Sequence, residues 1–218
     1  MSMDIFTISG KDYDSNVYVI VGEIPTIIDT GTGFYSRMIM ETIQKIIKLN
    51  KIRQILLTHE HYDHVGGVQD IVRATNGSAR IFAHKDIVSK LKEGKSTFAE
   101  MLGGVMPKIE VDVPLADTTQ ITVGDESFQV LFTPGHSIGS LCFYSKKNEV
   151  LFSGDTLFAN GGFGRYDFPG GDFRLLLHSI ERLSTLNIKN LYPGHGPIVE
   201  SCGKDHVVAA FSNIRSLI

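Results

Sequence analysis

Ile52-Arg53-Gln54-Ile55-Leu56-Leu57-Thr58-His59-Glu60-His61-Tyr62-Asp63-His64 is the segment from which the rest of the chain can be read. An apolar run of strand character, Ile52 to Leu57, leads by way of Thr58 into three imidazoles and two carboxylates within six positions. Neutral imidazole and carboxylate are the borderline ligands shared by Zn²⁺, Fe²⁺ and Mn²⁺. Their spacing suits two ions. His59 and His61, on alternate residues of an irregular turn, can converge on one ion while Asp63 and His64 face its neighbour.

Five histidines remain, His84, His136, His178, His195 and His206, and two of them stand in Pro-Gly-His turns. Thr133-Pro134-Gly135-His136 comes after the apolar Val130 to Phe132, and Pro193-Gly194-His195 comes after Leu191-Tyr192. Proline and glycine stop each strand and aim the next side chain off the sheet edge. Val150 to Phe152 ends likewise in Ser153-Gly154-Asp155-Thr156, which delivers a carboxylate. The combined set is His59, His61, His136 and Asp155 for one ion, and Asp63, His64, His195 and again Asp155 for the other, with Asp155 as the bridge.

On these residues, HxHxDH at 59 to 64 and then His136, Asp155 and His195 in that order, the chain resembles the metallo-β-lactamase superfamily. Asp29-Thr30-Gly31 matches its early Asp-containing motif, so the resemblance covers nearly the whole chain. Gly154-Asp155-Thr156-Leu157-Phe158 and the later run from Gly164-Arg165-Tyr166 to Gly171-Asp172 look most like the glyoxalase II-like branch of thioester hydrolases, with persulfide dioxygenases close by. The resemblance implies a four-layer αββα sandwich, an α/β fold of two mixed sheets with helices on the outer faces, filled by one domain over residues 1–218. Only 23 residues come after His195, too few for the C-terminal helical region that supplies much of the glutathione site in glyoxalase II proper. A compact relative with a more open site is expected, and Pro169-Gly170-Gly171-Asp172 favours the compact hydrolases over the dioxygenases.

The ions set the expected chemistry. Two divalent cations, zinc foremost and iron or manganese as alternatives, can share a hydroxide because coordination lowers the pKa of water from about 15.7 to about 7. That bridging hydroxide is the expected nucleophile on a thioester or related small acyl substrate, whose thiolate leaves without a strong general acid. Asp63, Asp155 and Asp29 are the expected catalytic carboxylates. Asp29 either orients a ligand or simply forms the turn before Thr30-Gly31. Arg165 can bind a substrate carboxylate through its fork of donors or pair with Asp167 or Asp172, and Tyr166 divides between substrate contact and packing. Three competing readings stay open: an iron-dependent persulfide dioxygenase using only His59, His136 and Asp155, a lactone or phosphodiester hydrolase, and a non-catalytic metal-stabilised binding module.

Composition excludes several classes. A formal charge of −3 without a basic stripe recommends no nucleic-acid partner. No segment approaches the roughly 20 uninterrupted apolar residues of a membrane span, and Met1 to Ile8 lacks the design of a signal peptide. A cytoplasmic protein acting on a small molecule, as monomer or homo-oligomer, is expected. The two cysteines make no disulfide framework: Cys142 reads as a buried apolar residue and Cys202 as a surface thiol.

Periodicity places strands at 4–9, 16–21, 26–29, 52–57, 80–83, 111–115, 121–123, 127–132, 141–145, 149–153 and 189–192. Helices are expected at 36–49 with Ser36 as N-cap, 63–74 with Gly66 and Gly67 packed tightly at its start, 85–92, after Asp172 with Phe173, Leu176, Leu177, Ile180 and Leu183 inward, and 206–217. Residues 94–110 hold no clear element and read as a flap over the site or a plain connection. His84 reads as a capping or packing residue, His178 as a partly buried or exposed helix residue, and His206 as the opening of the last helix.

Overall fold

The computed structural model describes residues 3–95 and 98–218. Strands β1 (Ile5–Ile8), β2 (Val17–Ile20), β3 (Thr26–Ile28), β4 (Gln54–Leu56), β5 (Arg80–His84) and β6 (Val113–Leu115) form one sheet in sequential order. Its first three strands pair antiparallel and the rest parallel. The second sheet runs β11-β10-β9-β8-β7, with β7 (Gln120–Val123), β8 (Glu126–Phe132), β9 (Leu141–Ser145), β10 (Val150–Gly154) and β11 (Asn190–Pro193). Only the β10–β11 pair there is parallel.

Strands buried on both faces must read as near-continuous apolar runs, and β2, β3, β4, β9 and β10 are buried at every position. Tyr18, Ile20, Ile28, Leu56 and Phe82 of the first sheet meet Phe128, Val130, Phe143, Phe152 and Tyr192 of the second in one core. On the outer face of the first sheet, α1 (Ser36–Ile46), α2 (Tyr62–Val65), α3 (Val68–Ala74) and α4 (Val88–Glu93) contribute Ile39, Ile43, Val65, Ile71 and Leu91 to a second core. Over the other sheet, α5 (Phe173–Ser184) and α6 (Gly203–Arg215) contribute Leu176, Ile180, Leu183, Val207 and Ile214 to a third. The order is therefore helix, sheet, sheet, helix, the αββα sandwich expected from the sequence. Among the described residues, no helix is long and apolar enough to cross a membrane.

Several boundaries differ from expectation. Helix α1 stops at Ile46, and Leu49–Lys51 forms a separate 3-10 turn because Ile47 is extended. Ser36 is the first helical residue rather than its cap; Tyr35 precedes it, and the Ser36 hydroxyl is buried without a hydrogen-bond partner. The single helix expected over 63–74 breaks into α2 and α3 at Gly66-Gly67. A Cβ at Gly66 would stand 2.2 Å from the Thr32 carbonyl oxygen, so the tight approach expected of these glycines is real, and it packs the helix start onto the Thr30–Thr32 turn. Helix α6 begins three residues before His206, where the Gly203 amide donates to the Lys189 carbonyl. Asp172 caps α5 as expected, accepting from the Leu175 amide at 2.9 Å. Residues 96 and 97 of the expected flap lie outside the described residues, and the described remainder of 94–110, beyond the end of Glu93, has neither helix nor strand.

Strand direction determines where the candidate ligands collect. β3 and β4 are parallel, so Asp29 and the motif after Leu57 leave the same edge. β8, β10 and β11 also run in one direction, so His136, Asp155 and His195 leave a common edge of the second sheet. Two backbone bonds join those edges: Leu141 N–H to the Thr58 carbonyl at 2.7 Å, and Asn16 N–H to the Gly194 carbonyl at 2.7 Å.

Candidate metal centre

All seven expected ligands converge at that joined edge. Ligand atoms of His59, His61 and His136 lie within 4.8 Å of one another, as do those of His59, His64 and Asp155, and those of Asp63, His64 and His195. Asp155 stands between the groups: Oδ1 is 3.3 Å from His64 Nε2, while Oδ2 is 3.6 Å from His195 Nε2 and 3.7 Å from His136 Nε2. His195 Nε2 also lies 3.0 Å from Asp63 Oδ2.

Hydrogen bonds on the far side of each ring decide which nitrogen faces inward. A carbonyl only accepts, so His136 donates from Nδ1 to the Arg165 carbonyl at 2.7 Å and keeps a lone pair on Nε2, which faces His61 Nδ1 at 2.9 Å. Asp29 does the same for two more rings. Its Oδ2 accepts from His64 Nδ1 at 2.8 Å and from the Thr58 hydroxyl at 2.7 Å; that hydroxyl, its proton committed, accepts from His59 Nδ1 at 3.0 Å. Asp29 Oδ1 meanwhile accepts from the Thr58 amide at 2.8 Å. Nε2 of both His59 and His64 is thereby turned toward the centre, the arrangement that orients imidazole ligands in metal sites. Asp29 reaches this position with a left-handed backbone, φ 56°, which a short polar side chain tolerates. Of the two expectations for Asp29, the structure shows the orienting contact.

Nε2 of His59 and Oδ1 of Asp155, both turned to the centre, are buried without a hydrogen-bond partner, and His61 brings Nδ1 within 2.9 Å of the lone pair on His136 Nε2. Each such orphan costs about 1–3 kcal/mol unless satisfied. Such a gathering of inward lone pairs among ionised carboxylates fits divalent cations.

Electrostatics sort the groups. Burial, reinforced by neighbouring imidazoles, holds His59 well below its ordinary value and brings His61 down to about 3, so both are neutral ligands at neutral pH. Burial pulls His64 and His195 down too, but the carboxylates facing them outweigh it: Asp155, Asp29 and Asp63 for His64, Asp155 and Asp63 for His195. Both rings are held above the ordinary histidine value. Burial raises Asp63 and Asp155, and the facing His64 and His195 more than reverse this, keeping both carboxylates ionised.

Arg165 makes the ion pair named in the second of its two readings. Its guanidinium pairs with Asp167 through Nε–Oδ1 at 2.9 Å and Nη2–Oδ2 at 2.6 Å and lies 4.1 Å over the Phe168 ring. The side chain nevertheless lines the cleft over the centre. Tyr166, expected as either a substrate contact or a packing residue, packs edge-on against Phe173 at 5.1 Å and is outside the described cleft lining; the Gly171 turn folds that part of the loop inward. His84 packs flat on Phe132 at 4.1 Å and accepts from the Asp86 amide; His178 is solvent-exposed beside Glu181; His206 accepts from the Asn160 amide at 2.7 Å.

Four contributions were missed. Thr58 relays Asp29 to His59. Asn16 donates to the carbonyls of Pro193 and Gly196 and so clamps the His195 turn. Glu60, fully buried, accepts from Lys90 Nζ at 3.1 Å and from the Ser137 hydroxyl at 2.9 Å, tying the motif to the His136 loop. Gly194 leaves room for Asp155, because a Cβ there would lie 2.1 Å from Asp155 Oδ1. Glu60 had a signal, a carboxylate left over between two ligands in an apolar context; the others depend on distant partners.

Comparison with known proteins agrees with this geometry. Residues 10–195 match the metallo-beta-lactamase superfamily pattern. A probable metallo-hydrolase of Methanocaldococcus jannaschii is 33% identical over 199 residues, covering 89% of this chain and 93% of the relative. The hydroxyacylglutathione hydrolase GloC of Haemophilus influenzae is 33% identical over 181 residues, covering 80% and 82%. Among solved structures, the BLEG-1 B3 metallo-beta-lactamase superposes with TM-score 0.79 at 30% identity over 93% of this chain and 96% of that one. The TTHA1623 protein in a di-iron-bound form gives TM-score 0.74 at 32% identity over 92% and 96%.

Proposed function

The chain belongs to the metallo-beta-lactamase superfamily and is a metallo-hydrolase by that kinship, and we propose that it is a two-metal hydrolase of thioesters or similarly activated small acyl compounds. The observation that carries the reading is the convergence of inward-facing imidazole nitrogens and two ionised carboxylates on adjacent positions sharing Asp155. His59, His61, His136 and Asp155 would hold one ion, and Asp63, His64, His195 and Asp155 the other. Two divalent cations bound there supply Lewis acidity and an activated water near neutral pH.

The chain's own residues supply the rest. Asp29 and Thr58 hold the His64 and His59 rings with Nε2 inward before substrate arrives, so little reorganisation is needed. Asp63, ionised and open to the cleft beside His195, is the carboxylate placed to take a proton at Oδ2 as the acyl carbon is attacked. A thiolate departs unprotonated, so this reading requires no proton donor for the leaving group, as an amide nitrogen would. The relatives support the same reading, since the Haemophilus protein is named for the hydrolysis of a hydroxyacylglutathione.

The test is metal analysis of freshly purified protein, then assay of that sample with S-lactoylglutathione and with glutathione persulfide plus oxygen. About two metals per chain with thioester cleavage is the expected result. One iron per chain with oxygen uptake would overturn it.

A further inference from the structure

The cleft over the centre has a volume of ≈ 420 Å³, and apart from the ligands its lining is dominated by Phe98, Met101, Leu102, Phe158, Phe163 and Phe168. These come from two chain segments facing each other across the site. Phe98 stands edge-on to His61 at 5.1 Å and contacts Phe168 at 4.3 Å, joining the walls. Phe98 holds φ 71°, a left-handed conformation costly for a bulky aromatic, which these contacts retain.

Charge points the same way. Among the described residues lining the cleft, Arg165 is the one Lys or Arg, and the Nε–Nη2 edge of its fork is taken by Asp167 while its face is taken by Phe168. Asp12 adds a negative group at the rim. A glutathione conjugate carries two carboxylates, and the one cationic Lys or Arg side chain of the cleft lining is already balanced by Asp167, which leaves no surplus of that charge for them.

We propose that this cleft is specific for thioesters whose acyl group is apolar, alkyl or aryl, seated between Phe98 and Phe168, and that it does not select for a glutathione carrier. This rests on the acyl-hydrolase reading above. The Arg165–Asp167 pair then serves as a neutral cap on the trough that discriminates against anionic acyl chains.

The test uses zinc-loaded protein and N-acetylcysteamine compounds in two forms, thioesters for turnover and hydrolysis-inert ketones, with a methylene between sulphur and carbonyl, for calorimetric binding. From acetyl to hexanoyl the ketones should tighten about fourfold per methylene, the factor corresponding to about 0.8 kcal/mol per buried CH₂. Phe168→Ala should flatten that series. Asp167→Asn, by removing the charge that balances Arg165 on its Nε–Nη2 edge, should improve the glutaryl ketone several-fold and leave the hexanoyl one where it was. Equal binding along the series, or tenfold tighter binding of the ketone analogue of S-lactoylglutathione than of the hexanoyl ketone, would overturn the inference. If binding rises with chain length but no thioester is cleaved, the trough stands and the hydrolase reading falls; if acetyl and hexanoyl thioesters are cleaved equally and bound equally, the reverse holds.

Discussion

Asp29 Oδ2 lies 2.8 Å from His64 Nδ1 and 2.7 Å from the Thr58 hydroxyl, so one carboxylate oxygen sets the orientation of two imidazoles in the centre. The contact spans 35 residues of chain and is buried on both sides.

Asp29→Asn keeps a side chain that tolerates the left-handed backbone but replaces the acceptor that fixes His64 and, through Thr58, His59. Metal affinity should fall about 10- to 100-fold, the usual loss when such an orienting partner is removed. Competition titration against a chelating indicator reads this directly; unchanged affinity would show that the rings are held by packing alone.

Asp155 touches both halves of the centre and Asp63 only one. Asp155→Ala should therefore abolish hydrolysis and lower the content of both ions, whereas Asp63→Ala should lose chiefly the ion shared with His64 and His195. Plasma emission analysis of the dialysed variants separates the two. Chelator treatment of the wild type should lower its melting temperature, and added metal should restore it, as linkage requires of a ligand bound only by the folded state.

Lys90 is the partner of the fully buried Glu60 carboxylate. Lys90→Met leaves that charge uncompensated and should cost about 3–5 kcal/mol in urea unfolding. Adding Glu60→Gln should recover part of the loss, because the uncompensated charge goes with it. Additive losses in the double variant would mean that the pair is not coupled.

His84 is held below its ordinary value of 6.5 by burial, which Asp86 opposes only partly. Its folded-state value is thus lower than its unfolded one, and the neutral ring is the form that accepts from the Asp86 amide. Its contribution is complete above about pH 6.5 and is lost as pH falls through the depressed value. In metal-free protein, the stability difference between wild type and His84→Asn should be flat above that pH and shrink below it. A difference that grows on acidification would contradict the assignment.

Cys142 is wholly buried, and burial pushes its thiol up to about 11, while Cys202 is exposed. One thiol per chain should react with Ellman's reagent in native protein and both in denaturing guanidinium.

Much of this was local information. The HxHxDH run, two Pro-Gly-His turns and Ser-Gly-Asp carry their meaning within a few residues, because a strand that stops at proline or glycine must project its next side chain beyond the sheet edge. The alternation of apolar runs likewise marks the strands and every long helix, with errors where turns compete: at Gly66-Gly67, which breaks one helix into two, and at Ile47, where extended backbone ends α1 early.

By itself, then, the sequence determined the donor set, the strands and long helices, the chemistry open to seven such ligands and, through the family resemblance those ligands carry, the two-sheet architecture. Tertiary structure decided the rest. Whether Asp29 is a turn residue or the anchor of two rings depends on Thr58 and His64, 29 and 35 positions away. That Arg165 pairs with Asp167 and that Tyr166 packs on Phe173 depend on how one loop folds back. The aromatic trough needs Phe98 and Phe168, from opposite halves of the chain, at 4.3 Å. Ligand identity is a property of residue type and can be read in place, but orientation, charge neutralisation and cavity shape are sums over neighbours, and only the folded chain says who the neighbours are.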